Sequence, residues 1–246
     1  MPKFFTQREN ITDTQIIIDS EDAKHIKKVL RLCEGDTITV CDGGGTDYEA
    51  EIRDILQDKI ICDIKSKNKC ESESEVYITL YQGLPKAAKM DYIIQKNTEL
   101  GICKIVPVTL SRCVVKLDGE AAEKKKTERW QKIAYEAAKQ SGRGVVPQVT
   151  MPVSLDAVLN EIKNDDLVFV PYECETDTRI KDVVSEIKEP KRISFVIGPE
   201  GGFDPVEIEK FKAAGVKTVT LGKRILRTET AAEAVVAMLM YAYDQI

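Results

Sequence analysis

Two glycine loops decide the fold of this chain, and both lie in residues 192–241, RISFVIGPEGGFDPVEIEKFKAAGVKTVTLGKRILRTETAAEAVVAMLMY. Residues 192–197 are short, apolar and rich in β-formers, as expected for a strand that is buried on both faces. The glycines and the proline of residues 198–202 end that strand. A second strand, over residues 216–221, runs into Gly222. The stretch therefore predicts a strand, a glycine loop and a helix, twice in succession.

Capping patterns predict where the two helices begin. Asp204 has the side chain of an N-cap, and Glu207 follows three residues later, which is the spacing of a capping box. For the last helix, either Thr228 or Thr230 can act as the cap, and Thr230 has Glu233 at the same spacing. Each glycine loop is thus expected to lie between the end of a strand and the start of a helix.

The position of the loops indicates a ligand site. In open α/β sheets, ligands bind in the crevice outside the carboxyl ends of the strands, and glycine allows a close approach of the backbone there. Arg224, Arg227 and Glu229 crowd beside the second loop. The alternative is that both loops are only tight turns, because glycine is the usual turn residue. The pair of loops, together with these charges, favours a site.

The composition is that of an ordinary globular protein. Of the 246 residues, 43% are hydrophobic and 31% are charged, and the length allows one large domain or two modest ones. No apolar run approaches the roughly 20 residues that span a bilayer, and the first residues lack the apolar core of a signal peptide. We therefore expect a cytoplasmic protein that does not enter a membrane. The net charge of −5 argues against a generally basic nucleic-acid binder but allows a local basic patch.

Metal and histidine chemistry are not expected. The seven cysteines are irregularly spaced and contain no C-x-x-C pair, so we expect reduced thiols that pack as small apolar residues. The only histidine is His25. A histidine-based metal site and a Ser-His-Asp triad are therefore not predicted.

The pattern of elements changes near residue 70. Residues 1–72 contain several short strand-like segments, which together predict a small β-barrel. The polar segment 65–75, KSKNKCESESE, marks the boundary. Residues 73–246 alternate strands and helices, which predicts a parallel sheet with helices on both faces. The expected fold class is α/β, with a small β-rich domain at the N-terminus.

One helix, at about residues 21–32, has two contrasting faces. Its apolar face, which is expected to be buried, comprises Ile26, Val29, Leu30 and Cys33. Its basic face comprises Lys24, Lys27, Lys28 and Arg31. The basic face is either a solvated surface or a surface that contacts phosphates.

Two arginines lie in predicted loops, Arg112 and Arg143. They are either simply exposed or placed at the ligand crevice.

Five motifs give the chain a resemblance to a known family. They are HIKKVLRLCEGD at 25–36, KMDYIIQKNTELGI at 89–102, RWQKIAYEAAKQSGR at 129–143, IGPEGGF at 197–203 and LGKRILRTETAAEA at 221–234. With them the chain resembles, over essentially its whole length, the bacterial 16S rRNA (uracil-N3)-methyltransferases of the SPOUT superfamily, the small-subunit methyltransferase E family. The last two motifs, at this spacing, are the most specific.

The resemblance implies a fold, a cofactor and partners. It implies a PUA-like N-terminal β-barrel and a C-terminal α/β domain tied in a trefoil knot, which sequence patterning alone could not give because knots are nearly absent from folds. It implies S-adenosylmethionine as the cofactor and a homodimer as the assembly. The implied reaction is methyl transfer to N3 of a specific uridine in the 16S rRNA of the small ribosomal subunit (30S). No metal is implied.

The resemblance also assigns site residues. The two glycine loops and the end of the preceding strand are expected to hold the cofactor, with Leu221, Ile225 and Leu226 around the adenine. The full expected set is Pro171, Ile197, Gly198, Pro199, Gly201, Gly202, Leu221, Gly222, Ile225, Leu226 and Thr228. The catalytic candidates are Arg227, to stabilise the developing uracil anion, and Glu200 or Glu229, to accept the proton or to orient Arg227. The residues expected to contact RNA are Arg8, Lys24, Lys27, Lys28, Arg31, Arg112 and Arg143.

Three other functions compete with this one. A related SPOUT enzyme would methylate the ribose 2′-hydroxyl instead of the base. A catalytically silent RNA-binding assembly factor is disfavoured by the intact RILRTETA loop. An unrelated dinucleotide enzyme is disfavoured because no G-x-G-x-x-G follows a first strand.

The role of Glu229 also has two interpretations. It is either a catalytic group or an acidic residue that the helix dipole favours in the first turn of a helix.

Overall fold

The computed structural model describes residues 3–115 and 119–245, and the chain divides into two compact units. The first unit comprises Met1–Glu73 and Ala138–Val146, and the second comprises Ser74–Ala137 and Pro147–Ile246. Among the helices of the described ranges, none is long and apolar enough to cross a membrane. The inclusion of Ala138–Val146 in the first unit is a long-range feature that the sequence pattern does not show.

The first unit is built on a five-stranded sheet. Its strands are β1 (Lys3–Phe5), β2 (Gln15–Asp19), β3 (Thr37–Cys41), β4 (Thr46–Ile55) and β5 (Lys59–Lys69). Their order is β1-β3-β4-β5-β2; β1 and β3 run parallel, and the other neighbours run antiparallel. Alternate side chains point into a core that includes Phe4, Ile16, Ile38, Ile52 and Ile60. The sheet curls into a half-barrel, which confirms the predicted β-rich unit at the N-terminus.

The helix of the first unit is distorted, and one prediction about it is wrong. α1 (Ser20–His25) continues into a π-helical turn, Ile26–Leu30. Ile26 is buried. The other members of the expected apolar face are exposed: Val29, Leu30 and Cys33. A π turn holds more residues than an α turn, so side chains spaced for a 3.6-residue period no longer share one face.

The second unit contains a parallel sheet. Its strands are β6 (Tyr77–Gly83), β7 (Lys104–Thr109), β8 (Gln148–Val149), β9 (Val153–Ser154), β10 (Leu167–Pro171), β11 (Arg192–Ile197) and β12 (Lys217–Val219). The remaining helices are α2 (Lys89–Glu99), α3 (Glu120–Gln140), α4 (Leu155–Glu161), α5 (Ile180–Val184), α6 (Pro205–Ala213) and α7 (Thr228–Ala242). The strand order is β12-β10-β11-β6-β7-β8, with β9 beside β7, and these pairs are parallel. The predicted parallel α/β sheet is confirmed.

The central strand β11 is buried on both faces, as its apolar sequence predicts. All its residues after Arg192 are buried. Val196 packs into a core cluster with Val158 of α4 and Phe211 of α6. Helix α7 contacts β6, β11 and α2. The trefoil knot stays a prediction of the family resemblance.

Local capping explains the start of α6 but not the start of α7. The predicted capping box is confirmed, because the Asp204 N–H donates to Glu207 Oε2 (2.9 Å) and the Asp204 side chain caps the helix. The cap predicted for α7 is wrong: the N-cap is Arg227, and Thr230 lies inside the helix. Thr228 is the first helical residue, and its hydroxyl makes a tertiary contact instead of a cap.

Candidate active site

Three strand ends meet at one edge of the parallel sheet. β10 lies between β11 and β12, so the segments that follow Pro171, Ile197 and Val219 emerge side by side. These segments line a cavity of about 820 Å³. Its position is the one at which open α/β sheets bind ligands. Both glycine loops therefore contribute to one candidate site within the second unit.

The cavity gathers most of the residues predicted to hold a cofactor. Its lining includes Pro171, Ile197, Gly198, Pro199, Gly202, Leu221, Gly222, Ile225, Leu226 and Thr228. Gly201 is not among the lining residues; its carbonyl accepts a hydrogen bond from Arg112 Nη1 (3.1 Å). A Cβ on Gly201 would lie 3.1 Å from the Arg112 Cβ. The first loop thus faces the cavity with most of its residues and packs on Arg112 through Gly201.

A buried chain of hydrogen bonds fixes the two loops to each other. The Thr228 hydroxyl donates to the Gly198 carbonyl (2.7 Å) and accepts from Gln82 Nε2 (2.9 Å). Glycine at position 83 lets the first loop lie directly on β6, because a Cβ on Gly83 would be 2.7 Å from the Pro199 nitrogen. The first turn of α7 is thereby held against the loop that follows β11.

Three charged side chains form what we call the Lys89 bridge. Lys89 Nζ lies 3.1 Å from Glu200 Oε1 and 3.4 Å from Glu229 Oε2. Glu200 Oε1 also accepts from the Lys86 N–H (3.0 Å). Burial opposes ionisation of Glu200, but its own N–H, the Lys86 N–H and the Lys89 ammonium outweigh burial and lower the pKa of Glu200. The hydrogen bond with Glu200 raises the pKa of Lys89.

Two of the three catalytic candidates, Glu200 and Arg227, line the cavity. Glu229, in the first turn of α7, is not a lining residue; its side chain is 15% exposed and lies beside Lys89. The side chain of Arg227 is exposed. Sequence reasoning misses Lys89, which also lines the cavity. Its place at the site could have been inferred from its position at the start of the helix that follows β6, because β6 is the neighbour of β11 in the sheet.

A third wall of the cavity follows β10. It is formed by Tyr172, Glu173, Glu175, Thr176 and Arg179. The Glu175 carboxylate fixes this segment, because it accepts from the Thr218 hydroxyl (2.6 Å) and from the N–H groups of Asp177 (3.0 Å) and Thr178 (3.2 Å). The same bonds, that of Thr218 first, lower the pKa of Glu175. No glycine motif marks this segment, so sequence patterning indicates only its beginning.

The cavity combines an apolar surface with charges of both signs. Ile225 is 87% exposed on its wall. Its acidic lining residues include Glu173 and Glu200, and its basic lining residues are Lys89, Arg179, Lys223, Arg224 and Arg227. No cysteine, serine or histidine occurs among the described lining residues. The site is therefore suited to catalysis by positioning and charge.

The basic residues predicted to contact RNA differ in their availability. Those with exposed side chains include Arg8, Lys24, Lys28 and Arg31. Lys27 is half-buried and donates to the backbone carbonyls of Leu56 and Gln57. Arg112 is tied to the first glycine loop through Gly201. The most accessible part of the predicted basic face is thus the set Lys24, Lys28 and Arg31.

Arg143 is buried in the first unit. Its side chain is 4% exposed, and its Nη2 lies 2.7 Å from Glu73 Oε2. Glu73 Oε1 accepts in addition from the N–H groups of Gly144 (2.7 Å) and Val145 (3.1 Å). The guanidinium already has a carboxylate partner and little access to solvent. The ion pair argues against the predicted contact between Arg143 and RNA.

Known proteins with the same organisation are rRNA methyltransferases. A family model described as an RNA methyltransferase domain matches residues 72–240, and one described as an RNA methyltransferase PUA domain matches residues 18–65. The chain is similar to the ribosomal RNA small subunit methyltransferase E of Bacillus subtilis, with 38% identity over 87% of this chain and 85% of the relative. It is also similar to the Mesomycoplasma hyopneumoniae protein of that name, with 34% identity over 69% of this chain and 72% of the relative.

A solved structure extends the similarity to the whole fold. The crystal structure of the ribosomal RNA small subunit methyltransferase E of Neisseria gonorrhoeae, bound to S-adenosyl methionine, matches with a TM-score of 0.86 and 32% identity. The match covers 99% of this chain and 98% of that one. The chain belongs to the ribosomal RNA small subunit methyltransferase E family.

Proposed function

We propose that this chain transfers a methyl group from S-adenosylmethionine to N3 of a specific uridine in the 16S rRNA of the small ribosomal subunit. The observation that carries the proposal is the cavity in which both glycine loops meet Glu200 and Arg227. The names of the relatives, which specify methylation of small-subunit rRNA, support it. With this substrate the protein acts in the cytoplasm, and the family resemblance adds a homodimer as the assembly.

The residues of the cavity fit S-adenosylmethionine. A volume of about 820 Å³ lies within the range of roughly 300–1,000 Å³ that is usual for small-molecule sites. Leu221, Ile225 and Leu226 offer an apolar surface to the adenine. The carboxylates of Glu173 and Glu200 have the charge that complements a sulfonium and an amino group. When bound, the cofactor supplies an electrophilic methyl group.

The uracil must become a nucleophile before it can be methylated. Its N3 carries a weakly acidic proton, and loss of that proton leaves negative charge on O2 and O4. Arg227, exposed at the cavity, supplies the cation that stabilises this charge. N3 then forms the new bond to the methyl carbon while the C–S bond breaks and its electron pair stays on sulfur. No covalent enzyme intermediate is needed, so positioning carries the catalysis.

We assign the role of proton acceptor to Glu229. Glu200 is less suited, because its Oε1 already accepts from the Lys86 N–H and from Lys89, and its pKa is lowered. Glu229 follows Arg227 by two residues at the start of α7. Glu200 instead anchors the first glycine loop to the start of α2.

This function predicts a large loss of turnover in Arg227→Ala. Removing a group that stabilises developing negative charge lowers kcat by roughly 100-fold. The Kd for S-adenosylmethionine stays within about threefold of wild type, because Arg227 acts on the uracil. Turnover is measured as transfer of labelled methyl to 30S particles that lack the modification, and the Kd by isothermal titration calorimetry.

Lys212→Ala is the matched control for Arg227→Ala. Lys212 is an exposed residue of α6 that pairs with Glu209, and it is not a lining residue of the cavity. The control removes one positive charge from the same unit and should keep wild-type kcat. Normal turnover together with normal cofactor affinity in Arg227→Ala would refute the role given to Arg227.

A further inference from the structure

The Lys89 bridge joins the three elements on which the proposed chemistry depends. Lys89 opens α2, Glu200 lies in the loop after β11, and Glu229 lies in the first turn of α7. The three side chains are 32%, 26% and 15% exposed. Partly buried charges are screened less than fully exposed ones, so the Lys89 ammonium acts on both carboxylates more than it would at the open surface.

Glu229 depends on Lys89 for its charge partner. Its Oε2 is buried, and apart from the long 3.4 Å contact with Lys89 that atom has no hydrogen-bond partner among the described residues. The Lys89 ammonium at 3.4 Å forms the ion pair with it. The next cation along α2, Lys96, is bound to Glu99 (2.9 Å). Lys89 is therefore the ammonium that faces Glu229 between α2 and α7.

Other carboxyl groups lie near Glu229, so the Lys89 ammonium is needed to offset their negative charge. Glu233 lies one helical turn further along α7, and its carboxyl is partly buried. Burial, together with the charges of Glu229 and Glu99, raises the pKa of Glu233 against the opposing effect of Lys96. Glu200 adds another carboxylate on the same Lys89 Nζ. Without Lys89, Glu229 would lose the ion pair that offsets the neighbouring carboxyl groups of Glu200 and Glu233.

We propose that Lys89 is a positioning residue for the methyl transfer: its ammonium holds Glu200 and Glu229 side by side, so that Glu229 meets the uracil N3 proton in one fixed place. This inference rests on the proposed function. In the transfer step the proton passes from N3 to the Glu229 carboxylate, and Lys89 keeps its own proton throughout. Lys89 acts through Glu229 and is not itself the acceptor.

The first glycine loop has other anchors, so the effect of Lys89 on chemistry can be separated from its effect on the fold. Glu200 keeps its bond to the Lys86 N–H when the Lys89 side chain is changed. Gly198 keeps its bond to the Thr228 hydroxyl. The loop, and with it the cofactor wall, is therefore expected to survive the loss of the lysine charge.

Lys89→Met tests the proposal, because it keeps the length of the side chain and removes the charge. We expect kcat for 30S methylation to fall at least about 30-fold, which is less than the roughly 100-fold or larger loss expected when the acid–base group itself is removed, because Lys89 acts only through Glu229. The Kd for S-adenosylmethionine should stay within about threefold. The acid limb of the kcat–pH profile should move to higher pH, because Lys89 is one of the groups that lower the pKa of Glu200. Lys163→Met is the control; Lys163 is exposed, lies away from the cavity, and should behave as wild type.

Two further variants separate positioning from stability. Lys89→Arg restores the positive charge and should recover most of the lost kcat and return the acid limb of the pH profile toward its wild-type position. The double variant Lys89→Met with Glu229→Gln should be no slower than Glu229→Gln alone, because both changes act through one group. Thermal unfolding of each variant shows whether it is folded.

The proposal is overturned if Lys89→Met keeps the wild-type kcat and pH profile. It is also overturned if Lys89→Met lowers the kcat of the Glu229→Gln variant by the same factor as it lowers the kcat of wild type. Lys89 is assigned to the fold instead if kcat falls only in parallel with thermal stability or cofactor affinity. In that case the pH profiles of Lys89→Arg and Lys89→Met are the same as that of wild type. A wild-type protein that methylates no 30S particle overturns the proposed function itself, whereas an active wild type with an unaffected Lys89→Met overturns only the role of Lys89.

Discussion

Arg143 has the sequence context of an RNA-contacting loop arginine, but the structure gives it a structural partner. Its guanidinium lies 2.7 Å from Glu73, and the residue is 3% exposed. We expect Arg143→Ala to lower the free energy of unfolding by about 3 kcal/mol, because it removes a buried guanidinium and leaves the partly buried Glu73 carboxylate without its counter-charge. Urea unfolding of the full chain measures this loss.

Arg53→Ala is the comparison for Arg143→Ala. Arg53 forms its ion pairs with Asp54 and Asp63 on the surface of the same unit, with its side chain 41% exposed. Surface ion pairs of this kind contribute little to the free energy of unfolding, so the stability of Arg53→Ala should be close to that of wild type. If Arg143→Ala instead kept normal stability and lost RNA affinity, the expectation of an RNA contact would be restored.

At the scale of single residues, the sequence identifies candidate catalytic side chains where they lie in a recognisable local motif. Glu200 lies in the first glycine loop, and Arg227 and Glu229 lie beside the second, so the motifs point to all three. Lys89 begins the motif at 89–102, but nothing in that motif indicates a role at the site, since a lysine at the start of a helix is common on protein surfaces. Its position at the cavity depends on β6 pairing with β11, which is a long-range feature.

At the scale of elements, Thr228 links α7, β6 and the loop after β11. Its hydroxyl bonds both the Gly198 carbonyl and Gln82 Nε2, and Gln82 is fully buried. Thr228→Val should lower the free energy of unfolding by about 1–3 kcal/mol, the usual effect of leaving buried polar groups unpaired. It should also weaken the binding of S-adenosylmethionine by displacing the first loop. Chemical unfolding and calorimetric titration measure the two effects.

Thr230→Val provides a matched control in the same helical turn. Thr230 is exposed, so the identical chemical change should alter stability by no more than about 0.5 kcal/mol. Equal effects of the two valine substitutions would mean that the Thr228 hydroxyl contributes nothing specific.

Element boundaries follow the sequence where the interactions that set them are local. The capping box of Asp204 and Glu207 lies within one turn and is predicted correctly. The start of α7 is not, because the Thr228 hydroxyl is taken by a partner far along the chain. The π turn Ile26–Leu30 escapes prediction for a different reason: its apolar residues have the spacing of an ordinary helix.

At the scale of the whole molecule, an acidic protein must hold a polyanion through a local basic surface. The net charge is −5, yet Lys24, Lys28 and Arg31, which lie along α1, the π turn and the residue after it, all have exposed side chains. Replacing all three by alanine should weaken binding to 16S rRNA fragments. The slope of log K against log salt should fall by about 0.7–0.9 for each phosphate that the protein no longer neutralises, while cofactor affinity stays unchanged. Filter binding at several salt concentrations measures the slope.

A second triple variant controls for net charge. Lys163, Lys181 and Lys188 are exposed lysines of the second unit. Their replacement by alanine removes the same charge but should leave the salt slope at its wild-type value. Similar slopes for the two triple variants would show that only overall charge matters, and would contradict a specific RNA-contacting surface.

The large-scale organisation is predictable where it depends on the alternation of elements. Alternating strands and helices after residue 73 predict the parallel sheet, and the glycine loops predict the edge of that sheet at which the cavity opens. The inclusion of Ala138–Val146 in the first unit is not predictable, because it involves contacts between residues far apart in the sequence, among them the ion pair of Arg143 and Glu73. The wall formed by residues 172–179 is likewise set by a tertiary bond, from Thr218 to Glu175.

The most direct test of the central claim is to map the methyl group after reaction. The protein is incubated with S-adenosylmethionine and 30S particles that lack the modification, and the digested 16S rRNA is analysed by mass spectrometry of its nucleosides and fragments. We predict one methyl group on the base of a single, unpaired uridine, at N3, because Arg227 is placed to stabilise a uracil anion and the target base must be accessible. A methyl group on the ribose 2′-oxygen, or no transfer at all, would contradict the account.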